Sequence, residues 1–165
     1  MISIVIRTFN EQKHLPELLR MIKSQETGLG YEIIVVDSGS SDHTLKIASE
    51  YNCKIVKINK EEFSFGRSLN SGCALAKGEF IVIVSAHCIP VNTNWLNKLV
   101  EPLTKDSNVA LSYGKQIGNE ITKFSEHQVF SKYYPDQDKN PQEDYFCNNA
   151  NACIRKRLWE AQKYD

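Results

Sequence analysis

The chain has 165 residues, with 20 Lys plus Arg against 20 Asp plus Glu, so its formal charge is zero. Apolar residues make up 41% and charged residues 24%, which excludes a disordered chain and suits one domain that buries roughly 70% of its surface on folding. Without excess positive charge there is no general attraction to phosphate backbones, and no nucleic-acid partner is expected.

Residues 2–6 are β-branched and bounded by polar residues, which predicts a buried strand. Asn10 is expected to cap a helix in which Leu15, Leu18, Leu19 and Ile22 recur at helical spacing. A turn at Gly28 and Gly30 ends it, and residues 33–36 are predicted as the second strand. Ser41 or Asp42 should cap the next helix, through Leu45, Ala48 and Ser49. Residues 54–58 alternate as a third strand. A helix over 68–77 is expected to stop at Gly78 in a left-handed position. Residues 80–84 are apolar on both faces, as in a central strand. After Pro90 comes a helix through Leu96, Leu99, Val100 and Leu103, which Pro102 should kink or end. Residues 109–113 are predicted as another strand. This alternation implies an α/β domain with a mostly parallel central sheet flanked by helices on both faces.

From Gly114 to Asp144 the chain turns polar and carries Pro135 and Pro141. A short helix over 122–132 is expected there, with loop elsewhere, including residues 135–140. Residues 146–154 are predicted as a further strand, followed by a helix from Arg155 or Lys156.

The five cysteines, Cys53, Cys73, Cys88, Cys147 and Cys153, are odd in number and form no C-x-x-C pair. They read as small buried hydrophobes in a reduced, cytoplasmic protein. The chain enters its first strand at Ile2 with no leader segment expected. Its longest apolar run, residues 80–84, is far below the roughly 20 residues that span a bilayer, so any membrane contact should be peripheral.

Ligands of open parallel sheets bind beyond the carboxyl ends of the strands, where strand order reverses. Those ends are Thr8-Phe9-Asn10-Glu11, Asp37-Ser38-Gly39-Ser40 and Ser85-Ala86-His87-Cys88. The first turn has no glycine, which argues against a dinucleotide fingerprint or a phosphate loop. Asp37 and Asp42 also suit turns and caps, and Glu11 suits the first turn of a helix. Arg67 and the run Arg155-Lys156-Arg157 suit a solvated surface. His14, His43 and His127 read as surface residues.

Ser3 to Glu11, Val35 to Thr44, Gly66 to Gly72, Ala76 to Phe80, Ile83 to Pro90, Tyr113 to Gln116 and Asn149 to Arg155 together resemble family-2 nucleotide-sugar glycosyltransferases, over residues 3 to about 160. The resemblance implies a Rossmann-like, glycosyltransferase-A-like fold. Residues 1–113 would form the nucleotide-sugar binding half of a single domain, and 114–165 an incomplete acceptor-side half. It implies that Thr8, Phe9, Asn10 and Glu11 line the nucleoside pocket. Asp37, followed by Ser38, would accept the ring N–H of the base, since an ionised carboxylate only accepts. Arg67 and Asn70 would lie near the donor, where a guanidinium suits phosphate. The implied reaction is inverting transfer from a nucleoside diphosphate sugar to a hydroxyl of a glycan or lipid-linked acceptor, as in cell-wall or polysaccharide assembly at the inner face of the membrane. A non-catalytic nucleotide-sugar binding module is the alternative.

Two positions depart from the family pattern. Where the family has Asp-x-Asp holding Mg²⁺ or Mn²⁺, this chain has Ser85-Ala86-His87. Imidazole suits Mn²⁺ better than Mg²⁺. His87 therefore ligates Mn²⁺, contacts the diphosphate directly as an imidazolium, or does neither. The acidic pair that supplies the family's general base is expected beyond Asp165, so no catalytic residue is assigned. A base must reach the proton it takes, and Asp165, as a terminal residue, should be poorly held. The resemblance thus implies the donor-binding portion of a longer enzyme.

Overall fold

A computed structural model of the chain describes residues 1–139, 141–143 and 146–165. Six strands form one sheet in the order β3-β2-β1-β4-β6-β5. Strands β1 (Ile2–Thr8), β2 (Tyr31–Asp37), β3 (Lys54–Lys57) and β4 (Phe80–Ser85) are parallel. Strand β6 (Asn151–Arg155) runs antiparallel to both β4 and β5 (Leu111–Tyr113). Strand β5 therefore points the same way as β4, and the exits of β1 to β5 share one edge.

Alternating residues of the central strands feed two cores. Ile4, Ile6, Val35, Val82 and Val84 meet helices α1 (Leu15–Lys23), α2 (Thr44–Glu50) and α4 (Trp95–Lys105). Val5, Ile34, Val36, Ile81 and Ile83 meet α3 (Phe65–Leu75) and Trp159 of α6 (Lys156–Ala161). The predicted layered α/β architecture is thus present. Helix α1 has nine residues, marginal on its own, and is held by Leu15, Leu18, Leu19 and Ile22, all fully buried. Burial of each contributes about 1.5–3 kcal/mol.

Several local expectations give way to tertiary contacts. Asn10 does not cap α1, which starts five residues later with His14 at its cap position. Asn10 instead adopts a left-handed φ of 54°, which Asn tolerates. Gly78, in contrast, is not left-handed as expected. Helix α3 ends at Leu75, and Gly78 is there for proximity, since a Cβ would lie 2.6 Å from the Ser3 backbone nitrogen. Pro102 lies inside α4, which continues to Lys105.

Strand β5 is three residues long rather than the expected five; before it the Ala110 carbonyl accepts from the Arg155 backbone N–H and the Val109 carbonyl from Arg155 Nε. Arg155 is buried rather than solvated, with its guanidinium also donating to the carbonyls of Leu103 and Asp106 at the end of α4. Strand β6 starts at Asn151, later than expected. The helix predicted over 122–132 is present as α5 (Phe124–Tyr133), with none of its residues buried. The loop assignment at Asn140 and Asp144 lies outside the described residues. Cys73 and Cys153 are buried and Cys53 and Cys88 half-buried, but Cys147 is exposed. His43 is not without a partner, since its ring Nδ1 lies 3.1 Å from Gln12 Oε1.

Candidate functional site

The loops leaving β1 and β2 are stitched into one surface. Thr8 and Asp37 are register partners at the ends of their strands, and both are buried. Asp37 Oδ1 accepts from Thr8 Oγ1 at 3.0 Å and Ser40 Oγ at 2.5 Å. Its Oδ2 accepts from the N–H groups of Gly39 and Ser40 at 3.1 and 2.9 Å. All four acceptor positions of the carboxylate are therefore occupied. Gly39 makes this turn with φ of 91°.

Farther out, the Asn10 N–H donates to Ser40 Oγ, the Ser41 N–H donates to Asn10 Oδ1, and the Glu11 N–H donates to Thr44 Oγ1. Asp42 accepts from Thr44 at the start of α2 and also from the Gln12 N–H. Slight desolvation pushes the Asp42 carboxyl up, but the hydrogen bonds from Thr44 and Gln12 outweigh it and hold it below the usual range. The cap position of α2 is thus His43, with no side-chain cap bond, rather than Ser41 or Asp42, and Asp42 serves as a tie between the two loops.

Strand order reverses between β1 and β4, and there the β4 exit comes alongside. Ser85 is the register partner of Arg7, Ala86 is buried, and the exposed His87 places Nδ1 3.5 Å from Glu11 Oε1. Thr8, Phe9, Asn10, Glu11, Asp37, Ser38, Ser85, Ala86 and His87 thus gather at one edge. Thr8, Asp37, Ser38 and Ala86 are its buried frame, whereas Phe9, Asn10 and His87 are exposed.

Arg67 and Asn70 lie on α3, occupied by other partners. Arg67 Nη1 donates to the Glu62 carbonyl. Asn70 accepts from the Tyr164 N–H and Trp159 Nε1 through Oδ1, and donates to the Tyr164 carbonyl through Nδ2. The segment reaching Asp165 is consequently well held. It rests on Gly66, where a Cβ would lie 1.5 Å from the Asp165 carbonyl oxygen.

Strand ends alone do not reveal the cations and rings beside this edge. Arg7 lies on the face opposite Thr8, with its guanidinium 4.7 Å from the centre of the Phe65 ring, and burial pulls its pKa down. Lys60 Nζ lies 5.4 Å from the centre of the Phe9 ring. Phe63 and Phe65 are both exposed and meet edge to face at 5.3 Å. The signal for Arg7 is its parity in β1, where an apolar residue would otherwise continue the Val5 side of the core. Lys60 and Phe63 belong to the β3–α3 connection and Phe65 opens α3, a path the sequence leaves open.

Among the described residues no group of three or more His, Cys, Asp or Glu side chains is gathered as for a metal ion. The donor set at the switch point is one imidazole and one carboxylate. His87 Nδ1 and Glu11 Oε1 lie 3.5 Å apart, so these two side chains would be the ones to hold an ion at this point. The imidazole nitrogen makes the set a better fit for Mn²⁺ than for Mg²⁺. No helix among the described residues is long and apolar enough to cross a membrane.

A sequence profile described as glycosyl transferase family 2 matches residues 3–161. A dolichol-phosphate mannosyltransferase of Pyrococcus furiosus is 31% identical over 114 residues, covering 67% of this chain and 32% of that protein. A chondroitin synthase of Escherichia coli is 33% identical over 114 residues, covering 67% of this chain and 16% of that protein. Among solved structures, S. aureus TarS 1–349 in complex with UDP-GlcNAc superposes with a TM-score of 0.74 at 19% identity, over 97% of this chain and 46% of that one. The mannosyltransferase PcManGT of Pyrobaculum calidifontis, in complex with GDP-Man and Mn²⁺, gives 0.71 at 21%, with the same two coverages of 97% and 46%. The chain spans less than half the length of each of these four proteins.

Proposed function

The chain belongs to glycosyl transferase family 2, and on that premise we propose that its β1–β2–β4 edge binds a nucleoside diphosphate sugar for inverting transfer to a hydroxyl of a glycan or lipid-linked acceptor. The observation that carries this reading is the joining of three strand exits into one surface at the point where strand order reverses. Phe9, exposed beside Lys60, offers an aromatic face for the base. The base ring N–H reaches Asp37 by displacing the Ser40 hydroxyl, the one neutral side-chain donor in that cluster on a half-exposed residue. Arg7 and His87 flank the crevice on the side of the diphosphate.

Transfer breaks the bond between the sugar's anomeric carbon and the diphosphate oxygen as the acceptor oxygen attacks from the opposite face and gives its proton to a general base, a role assigned to none of the described residues. Charge then develops on the diphosphate, and fixed cationic groups there lower the barrier. His87 and Glu11 would hold Mn²⁺, which when bound supplies further charge neutralisation at the same oxygens. Arg7 is positioned by the Phe65 ring; without the ion, Glu11 Oε1 orients the His87 imidazole through Nδ1. The reading is of a cytoplasmic reaction, consistent with five free cysteines, with lipid-linked acceptors met at the inner membrane face. Ser85-Ala86-His87 in place of Asp-x-Asp favours a second reading, a nucleotide-sugar binding module without turnover.

Thermal unfolding with UDP, dTDP, GDP, CDP and CMP, each with and without Mn²⁺ or Mg²⁺, tests the donor site. At a hundredfold excess over Kd a ligand adds about 2.7 kcal/mol, and for a domain of this size Tm rises by roughly 5–10 °C. The expected result is a selective rise with one nucleoside diphosphate, diminished in Phe9→Ala. A cooperative melt that no nucleotide moves would overturn the donor reading. Donor turnover by the full-length enzyme, with release of the nucleoside diphosphate, separates transferase from binding module.

A further inference from the structure

The segment that follows β6 folds back over α3, on the side of the sheet where Arg7 lies. The Asn70 side chain holds it as one peptide group holds another. Its Nδ2 donates to the Tyr164 carbonyl at 2.7 Å, and its Oδ1 accepts from the Tyr164 N–H at 3.1 Å. The same oxygen accepts from Trp159 Nε1 at 2.9 Å, which ties α6 to this clasp. Both lone pairs of the amide oxygen are therefore used. One residue farther on, the Asp165 backbone crosses Gly66 so closely that a Cβ there would lie 1.5 Å from its carbonyl oxygen.

Gly66 is the second residue of α3, and the first turn of that helix has little else to fix it. Ser64 caps the turn by accepting from the Arg67 N–H. Phe65 and Arg67 are exposed and Gly66 has no side chain, so none of the three enters a core. A glycine also loses more conformational freedom on folding than any other residue. The position of the turn thus depends on the backbone that crosses it.

That turn carries Phe65, which is 68% exposed and whose ring centre lies 4.7 Å from the Arg7 guanidinium. Among the described residues this guanidinium has no carboxylate and no hydrogen-bond acceptor. A half-buried cation with unused donors calls for an anion, and the Phe65 ring decides where those donors aim. We propose that Asn70 is a positioning residue for anion binding at Arg7. By clasping Tyr164 it holds Asp165 on Gly66, and that crossing fixes Phe65 and the guanidinium stacked on it. Asn70 itself touches no ligand. That the anion is the donor's diphosphate rests on the reading given under Proposed function.

The test reaches the crossing from both sides, in the full chain. Asn70→Ala removes the clasp, and Gly66→Ala puts a methyl group where Asp165 sits while raising the helix propensity of α3. An aromatic ring displaces the resonances of a group stacked on it, so NMR of the Arg7 side chain reports the Phe65 contact. Phe65→Leu marks where those resonances lie without the ring. Both alanine variants are expected to move them towards that position. Titration calorimetry then uses UDP, dTDP, GDP and CDP, each beside its nucleoside. The diphosphate that binds wild type should bind both variants about tenfold more weakly, the loss of one charge-assisted hydrogen bond, with its nucleoside unaffected. A clasp that serves stability alone would lower Tm and leave the Arg7 resonances in place, which overturns the proposal. Equal weakening of diphosphate and nucleoside overturns it too. If Asn70→Ala does not fold, Gly66→Ala decides. If the Arg7 resonances move as expected but no nucleoside diphosphate binds wild type, the positioning of Arg7 is supported and the donor reading is refuted.

Discussion

Substituting Asp37 separates the construction of the site from its chemistry. The carboxylate is 1% exposed and accepts hydrogen bonds from Thr8, Gly39 and Ser40, the last through both N–H and hydroxyl. Hydrogen bonds to a charged group contribute about 1.5–3 kcal/mol each. In Asp37→Ala the Thr8 hydroxyl turns to the Val36 carbonyl, 3.4 Å away, and the exposed Gly39 N–H regains water. The net loss should therefore be about 3–4 kcal/mol, well below the full sum. In Asp37→Asn the remaining oxygen keeps the two N–H groups, and the new amide donates to the two hydroxyls, which can reverse. That loss should be about 1 kcal/mol. Urea unfolding with an unchanged m-value measures both. Nucleotide-induced Tm shifts on the stable Asn variant then report the carboxylate's direct role. If Asp37→Ala unfolds within 0.5 kcal/mol of wild type, the carboxylate does not hold these loops together and the reasoning fails.

Arg155→Ala strands the carbonyls of Val109, Leu103 and Asp106 and is expected to cost about 3–5 kcal/mol in the same assay. Arg155→Lys should fall between, because an ammonium cannot reproduce the guanidinium fork; equal stability of Lys and Arg would refute the fork argument. Glu32 accepts from Ser3 Oγ, the Lys77 N–H and Lys54 Nζ. Burial pushes its carboxyl up, but these three donors outweigh it and hold it below the ordinary 4.5. A depressed carboxylate adds stability above its unfolded pKa that is lost as pH falls through the folded value. Stability should therefore decline as pH drops below about 4.5, and Glu32→Gln should flatten that decline in urea midpoints taken across the range. An unchanged slope would remove Glu32 from the acid response.

The sheet was legible because its central strands are buried on both faces. Residues 2–6, 33–36 and 80–84 could satisfy their backbone and hide their side chains in few other ways. The strand exits were legible for a related reason, since parallel strands with helical crossovers bring their carboxyl ends to one edge. Local signals failed where a distant partner supplied the energy. Asn10 looks like a cap, but Ser40 and Ser41 from the next loop draw it into a left-handed turn. Gly78 looks like a helix stop, but its missing Cβ makes room for the first strand. Arg155 looks like surface charge, yet three carbonyls at the end of α4 and before β5 surround it.

By itself, then, the sequence determined the layered α/β fold and which loops meet at the candidate site, because hydrophobic periodicity and strand direction are properties of the chain's own pattern. Only the tertiary structure decided that Asp37 is a saturated bracket between two loops. It also decided that Asn70 holds Tyr164 and that, among the described residues, Gln116 Nε2 is buried without a protein partner. The partners of Asp37 and Asn70 lie between 2 and 94 residues away, and no local pattern encodes which of many possible donors a folded chain will bring within hydrogen-bond reach.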